Sequence, residues 1–96
     1  MNASALLQSH SVPVLREHMR LRFDSVRKTW SIQAPERAFL LDEIAHAIVS
    51  RCDGRNSIAG IVDELCSVHP DAPREQIMAD VLQLIQTFLD KGVMAQ

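Results

Sequence analysis

Apolar and polar residues alternate in two short stretches near the start of the chain. Every second residue from Met19 to Phe23 is apolar, and the same alternation returns over residues 29–33. A period of two residues is typical of a strand that buries one of its faces. The turn-compatible residues 24–27 separate the two stretches. The pattern therefore predicts an antiparallel hairpin.

A third segment is apolar on both of its alternating faces. Pro35 ends the second strand, because proline has no N–H for a central ladder and holds the preceding residue in an extended conformation. Four consecutive apolar residues follow: Ala38, Phe39, Leu40 and Leu41. In a three-strand meander this third strand is an edge, which offers unpaired N–H and C=O groups to an incoming extended peptide. The alternative is that the third helix or the N-terminal residues cover its second apolar face.

Helical spacing begins directly after this strand. Asp42 is a good N-cap for a helix over residues 43–51. A buried stripe at four-residue spacing is expected from Ile44, Ile48 and Cys52. A second amphipathic helix is predicted from the cap at Ser57 to about Val68, because its apolar residues keep the i, i+3, i+4, i+7 spacing.

The third helix is predicted to be the longest element. It begins near Pro73, which suits a first turn, and closes at Lys91-Gly92, where a basic residue and a glycine are expected. Its apolar positions between Ile77 and Leu89 fill an arc of roughly 160°, wider than the ~100° that a surface helix needs. The helix therefore either packs on both the sheet and the other helices, or leaves one edge of its arc to a partner peptide or a second subunit.

These elements predict an α+β fold, a small winged-helix-like domain in which an N-terminal three-stranded antiparallel sheet is followed by three helices. Residues 1–15 show no sustained period, so they are predicted to form a flexible N-terminal arm, and residues 16–96 to form the domain. The chain has 96 residues, 47% hydrophobic and 23% charged, which fits one globular domain with a hydrophobic core.

The sequence offers no residues for catalysis or for a metal. It has no glycine-rich phosphate loop and no nucleophile motif, and its two cysteines, Cys52 and Cys66, form no C-x-x-C pair. Cys66 and His69 make one C-x-x-H pair, but structural zinc requires four ligands with paired spacing. We therefore expect a binding module and not an enzyme, with reduced thiols and no cofactor.

Targeting and membrane segments are not visible in the sequence. The first seven residues lack the basic start and the apolar run of a signal peptide, and no stretch approaches the ~20 apolar residues of a membrane span. We therefore expect a cytoplasmic protein without a membrane partner.

Charge is distributed unevenly along the chain. Residues 16–37 carry six basic and three acidic groups, a net charge of +3, whereas residues 38–96 carry four basic and nine acidic groups, a net charge of −5. A winged-helix DNA-binding protein needs cationic side chains on the helix that enters the major groove. Here the third helix has Arg74 and Lys91 against three acidic residues. Binding to nucleic acid is therefore disfavoured, and a structural dimerisation domain is the other alternative.

Six short motifs follow one another after Val14. They are Ala34-Pro35-Glu36-Arg37, Leu41-Asp42, Cys52-Asp53-Gly54, Ile61-Val62-Asp63-Glu64-Leu65, Asp80-Val81-Leu82 and Lys91-Gly92-Val93. In order and spacing they resemble the PqqD family of pyrroloquinoline quinone (PQQ) biosynthesis proteins. One departure is Asp42, where the family favours asparagine, and both residues cap helices well.

The resemblance implies a peptide chaperone of the kind called a RiPP recognition element, RiPP standing for ribosomally synthesised and post-translationally modified peptide. It implies capture of the precursor peptide PqqA and its presentation to the radical S-adenosylmethionine enzyme PqqE, which itself would hold the iron–sulfur clusters and S-adenosylmethionine. In the family the peptide adds as a strand beside the third strand, against the third helix. The peptide-binding residues implied here are Ala38, Phe39, Leu40 and Leu41 on the strand, with Val81, Leu84, Ile85 and Phe88 as apolar walls. An exposed edge also allows two copies to exchange strands, so a homodimer stays an alternative.

Overall fold

A three-stranded antiparallel sheet is followed by three helices, and a second, two-stranded sheet joins the two ends of the chain in the computed structural model, which describes residues 7–96. The strands are β1 (Val14–Leu15), β2 (Arg20–Asp24), β3 (Thr29–Gln33), β4 (Ala38–Leu41) and β5 (Met94–Ala95). The helices are α1 (Glu43–Val49), α2 (Ile58–Val68) and α3 (Arg74–Asp90). This arrangement confirms the predicted α+β class.

The larger sheet is a meander with the order β2-β3-β4, and both of its pairs are antiparallel. The carboxylate of Asp24 accepts hydrogen bonds from two backbone N–H groups of the first turn, at 3.0 and 3.2 Å, and Lys28 completes that turn at φ 59°. The second turn has two residues, and the N–H of Ala34 donates to the C=O of Arg37 across it at 2.8 Å. Side-chain caps and tight turns thus fix the register of the sheet.

The caps predicted for the first two helices are present. Asp42 and Ser57 each accept a hydrogen bond from the backbone N–H of the third helical residue, at 2.7 and 3.1 Å. Helix α3 begins directly after Pro73. Helix α1 ends at Val49, two residues before the predicted end at Arg51, because the N–H groups of Arg51 and Cys52 donate to carbonyls three residues back and tighten the chain into a turn.

The core lies between the sheet, the three helices and β5. Its buried residues are Ile32, Leu41, Ile48, Val49, Cys52, Ile58, Ile61, Val62, Leu65, Ile77, Val81, Ile85, Phe88, Val93 and Met94. Helix α3 supplies four of them and packs against α2 and β5, while its Phe88 reaches the sheet. The wide apolar arc predicted for this helix therefore serves several neighbours within the domain.

The stripe predicted along α1 is buried at only two of its three positions. Ile48 and Cys52 are 1% and 4% exposed, but Ile44 is 60% exposed, so the prediction for Ile44 is wrong. Ile44 lies in the first turn of α1, where two cavities open between α1 and α3 instead of packed side chains. Cys52 is a free thiol whose Sγ donates to the C=O of Ile48 at 3.3 Å, and burial raises its pKa to about 12. This cysteine therefore supports packing and is not reactive.

The described part of the predicted N-terminal arm, residues 1–15, is packed on the domain. Strand β1 pairs with β5, and Pro13 before it is fully buried. The C=O groups of Ser9 and Ser11 accept hydrogen bonds from N–H groups in the first turn of α2, at 2.9 and 2.8 Å. These contacts join segments that are distant in the sequence, so no local period could indicate them. The remainder of the predicted arm, residues 1–6, lies outside the described residues.

Candidate functional site

Strand β4 has a free edge. Within residues 7–96, β3 is its only hydrogen-bonded neighbour. The turn before β4 closes on a hydrogen-bonded pair, and hydrogen-bonded and non-hydrogen-bonded pairs alternate along an antiparallel ladder. By this alternation Phe39 and Leu41 bond to β3, whereas the N–H and C=O groups of Ala38 and Leu40 point away from it. These backbone groups can pair with another extended chain.

The side chains of β4 divide between two surfaces. Phe39 and Leu41 face the helices, where Leu41 is only 5% exposed. Ala38 and Leu40 face the opposite side of the sheet, and Leu40 is 73% exposed. The helices and the described N-terminal residues therefore leave the second apolar face of this strand uncovered.

Helix α3 contacts β4 on the core side. The ring of Phe39 meets that of Phe88 edge to face, with centroids 5.7 Å apart. The guanidinium of Arg37 lies 5.0 Å from the centroid of Phe39 and donates to the C=O of Lys91 at 3.0 Å. The start of β4 thus meets the end of α3. We refer to the surface between the free edge of β4 and the neighbouring exposed side of α3 as the groove.

The four apolar wall residues predicted on α3 do not all face this groove. Val81 and Ile85 are fully buried and Phe88 is 5% exposed, so these three residues belong to the core and are out of reach of a surface partner. Only Leu84 is half-buried and lines a cavity beside the groove. Peptide contact stays a prediction; Leu84 and the exposed residues of β4 are accessible to a partner, whereas Val81, Ile85 and Phe88, like Leu41, belong to the core.

A cavity of about 320 Å³ lies directly after β4, beside its Leu41 end. Its lining residues come from the N-cap and the body of α1 and from the middle of α3: Asp42, Ile44, Ala45, Ile48, Asp80, Gln83, Leu84 and Thr87. A second, more apolar cavity of about 240 Å³ adjoins it and shares Ile44, Ile48 and Asp80. The exposed Ile44 lies between the two. Together they offer space for a large apolar side chain next to the strand edge.

Sequence reasoning missed the polar flank of this groove. Asp80, Gln83 and Thr87 recur at spacings of three and four residues with Leu84, so they share one face of α3. That spacing in the sequence could have indicated a shared polar face on α3. Ile44 gave no such signal, because its i, i+4 relation to Ile48 is equally typical of a buried stripe.

Aromatic rings cluster beside the Leu41 end of the sheet. The ring of Trp30 on β3 stacks on His46 with centroids 4.2 Å apart, and Phe23 tilts against its other side at 5.2 Å. Trp30 is the only tryptophan of the sequence and pairs with Leu41 across the ladder. Its fluorescence is therefore a built-in reporter on the end of β4.

The groove is equipped for binding by backbone pairing, apolar contact and charge. Among the residues that the structure describes, no group of three or more His, Cys, Asp or Glu side chains could hold a metal ion. In the same part of the chain, no helix combines the length and apolar character that crossing a bilayer requires.

Asp53, whose pKa is lowered by hydrogen bonds from the N–H groups of Arg55 and Asn56, lies in the loop after α1 and stabilises that turn.

Comparison with protein families gives one match over more than half of the chain. The profile of the family described as Coenzyme PQQ synthesis protein D (PqqD) matches residues 29–94. Several relatives are named PqqA binding protein. One from Bradyrhizobium diazoefficiens is 40% identical over 86 residues, which is 90% of this chain and 82% of the relative. Another, from Rhodopseudomonas palustris strain TIE-1, is 44% identical over 86 residues, or 90% of this chain and 83% of the relative.

Two solved structures resemble this fold. The first is the solution NMR structure of the PqqD truncation of Methylobacterium extorquens PqqCD, described as a functional and stand-alone RiPP recognition element. It is 35% identical, has a TM-score of 0.82, and the match covers 97% of this chain and 98% of that one. The second is the crystal structure of PqqD from Xanthomonas campestris, 35% identical, with a TM-score of 0.58 and coverage of 95% and 100%.

Proposed function

This chain belongs to the PqqD family, and from that membership we propose that it binds the precursor peptide PqqA in PQQ biosynthesis by adding the peptide as a strand to β4. The observation that carries the proposal is the free edge of β4, with the backbone groups of Ala38 and Leu40 directed away from β3. The names of the relatives, PqqA binding protein, supply the identity of the peptide. The proposed role is binding, without a catalytic step.

In strand addition, the backbone and the side chains would make different contributions to binding. The peptide backbone pairs with Ala38 and Leu40, which gives affinity with little dependence on sequence. Peptide side chains on the core side reach Phe39, Leu84 and the cavity beside Ile44, which gives selection. Side chains on the other side lie next to Leu40. Because successive side chains of a strand point to opposite faces, apolar contact on both faces supports a peptide that carries apolar residues at consecutive positions.

The substitution Leu40→Asp tests this binding mode at the most exposed apolar residue of β4. It removes an exposed apolar contact and places a charge beside the incoming strand, so we expect about tenfold weaker binding of PqqA, or roughly 1.4 kcal/mol. Helical content should not change, because the side chain is 73% exposed. Anisotropy of labelled PqqA gives the affinity and circular dichroism gives the fold.

A matched control is Val26→Asp in the turn between β2 and β3. Val26 is 89% exposed, lies in the β2–β3 turn on the other side of β3 from the free edge of β4, and is not among the residues that line the cavity beside Leu40, so this change should leave PqqA affinity unaltered. Equal affinity of a folded Leu40→Asp protein and the control would contradict binding at the β4 edge.

We further propose that the protein presents the bound peptide to the enzyme PqqE. A peptide on the β4 edge leaves the outer face of the sheet accessible, and Arg20 and Arg22 on that face have no ion pair within the described part of the chain. These cations can meet carboxylates on the enzyme while the peptide stays bound. The outer face and the peptide would then form one continuous surface for PqqE.

Arg22→Glu is therefore expected to weaken association of the PqqA-loaded protein with PqqE several-fold. Arg55→Glu, an equal change of charge on the exposed loop after α1, serves as the control. Interferometry with immobilised PqqA-loaded protein measures association with PqqE. Displacement of PqqA by PqqE, or equal association of both variants, would contradict this arrangement.

A further inference from the structure

Charged side chains lie at both ends of the groove between β4 and α3, with opposite signs. Arg37 and Lys91 meet at one end, where the guanidinium of Arg37 bonds the C=O of Lys91. Asp42 and Asp80 line the same cavity at the other end. Five residue steps along β4 span about 16 Å, and the eleven steps of α3 from Asp80 to Lys91 span about the same length. The two charged ends are therefore separated by the full length of the groove.

The cationic end is not neutralised by the protein itself. None of the ion pairs within residues 7–96 includes Arg37 or Lys91. Asp90, next to Lys91, accepts a hydrogen bond from the side-chain amide of Gln86 and forms no ion pair with Arg37 or Lys91. Glu36 lies in the turn before β4, one residue before Arg37, whose guanidinium lies over the ring of Phe39.

The anionic end also lacks a positive partner. Asp42 accepts the capping N–H of Ala45 at 2.7 Å, and Asp80 accepts from the side-chain amide of Gln76 at 2.9 Å. Neither carboxylate takes part in an ion pair of the described residues, and the exposed Glu43 adds a third negative charge nearby. Between the two ends lie the apolar residues Phe39 and Leu84 and the uncharged polar residues Gln83 and Thr87.

From this distribution we infer that the groove selects a peptide segment with opposite charges at its ends, and that these charges set the direction in which the strand adds. A carboxylate of the peptide lies at Arg37 and Lys91, and a basic side chain about five residues away lies at Asp42 and Asp80. The inference rests on the proposed function. Backbone pairing alone permits both parallel and antiparallel addition. The charges then set the direction. A peptide whose acidic residue precedes its basic residue in sequence adds parallel to β4, and a peptide with the reverse order adds antiparallel to it.

Single charge reversals test the selection. Arg37→Glu and Asp80→Lys are each expected to weaken PqqA binding about fivefold at low salt, because repulsion replaces attraction, and the effect should shrink as salt is added. The matched controls are Arg55→Glu and Asp71→Lys on exposed loops outside the groove, which should bind as the unaltered protein does. Reversals in the groove that bind like these controls would overturn the inference.

Direction is tested with a nitroxide attached to the bound PqqA segment beside its acidic residue. In the unaltered protein, amides at the Arg37 end of β4 should be broadened most. A variant of reversed polarity combines Arg37→Glu, Lys91→Glu, Asp80→Lys and Asp42→Asn, since asparagine retains the cap of α1. In this variant the broadening should move to the Leu41 end.

The outcomes separate this inference from the proposed function. Broadening at an unchanged end in the folded variant, or equal broadening at both ends in the unaltered protein, would overturn the polarity while binding at β4 stands. Lack of PqqA binding by the unaltered protein would overturn both.

Discussion

Replacement of Leu40 by proline is expected to remove most PqqA binding while the domain stays folded. The N–H of Leu40 points away from β3, so proline deletes a donor that only an added strand would use. Edge strands tolerate proline when its nitrogen faces outward. The peptide loses one hydrogen bond and keeps an unsatisfied carbonyl, a cost of about 3 kcal/mol, or roughly a hundredfold in affinity. Anisotropy of labelled PqqA measures the loss.

Phe39→Pro is the control for this substitution. The N–H of Phe39 bonds to β3 and its ring packs on Phe88, so proline at this position should destabilise the sheet itself. Thermal unfolding followed by circular dichroism distinguishes the two variants. A folded Leu40→Pro protein with full PqqA affinity would exclude strand addition on the β4 edge.

A pair of substitutions on α3 is expected to separate support of the fold from contact with the peptide. Phe88→Ala removes a core ring that is 5% exposed and should lower the free energy of unfolding by about 4 kcal/mol. Leu84→Ala truncates a half-buried residue of the cavity lining, so it should cost only about 1 kcal/mol of stability but weaken PqqA binding several-fold. Urea unfolding followed through Trp30, together with peptide titration, measures both quantities.

The contrast between these two variants is the test. If Leu84→Ala left PqqA affinity unchanged in a folded protein, α3 would have no part in the binding surface. If Phe88→Ala left stability unchanged, the packing of Phe39 on α3 would not hold β4 in place.

Much of the sheet could be predicted from local sequence, because its elements depend on neighbours in the chain. The alternation around Leu21 and Ile32 predicted β2 and β3, and the stop at Pro35 indicated that the apolar residues after it form a third strand. Asp42 and Ser57 marked helix starts that the structure confirms. In each case a side chain acts on backbone groups within a few residues.

Features that depend on distant segments could not be predicted in this way. The β1–β5 sheet pairs two-residue strands from opposite ends of the chain, and two residues are too few to show a period. The arc of α3 contains both core residues such as Val81 and the groove residue Leu84, and periodicity alone does not separate them. Ile44 followed the pattern of a buried stripe, yet the packing of α1 against α3 leaves it exposed. The packing of distant segments decides whether these residues are buried or exposed.

An amide-shift titration of the isotope-labelled protein with PqqA tests strand addition most directly. The largest shifts are predicted for residues 38–41 and for Leu84 and Thr87 on α3, and the outward N–H groups of Ala38 and Leu40 should gain protection from hydrogen exchange. Shifts confined to the turn between β2 and β3 or to α2, with exchange at β4 unchanged, would contradict the account.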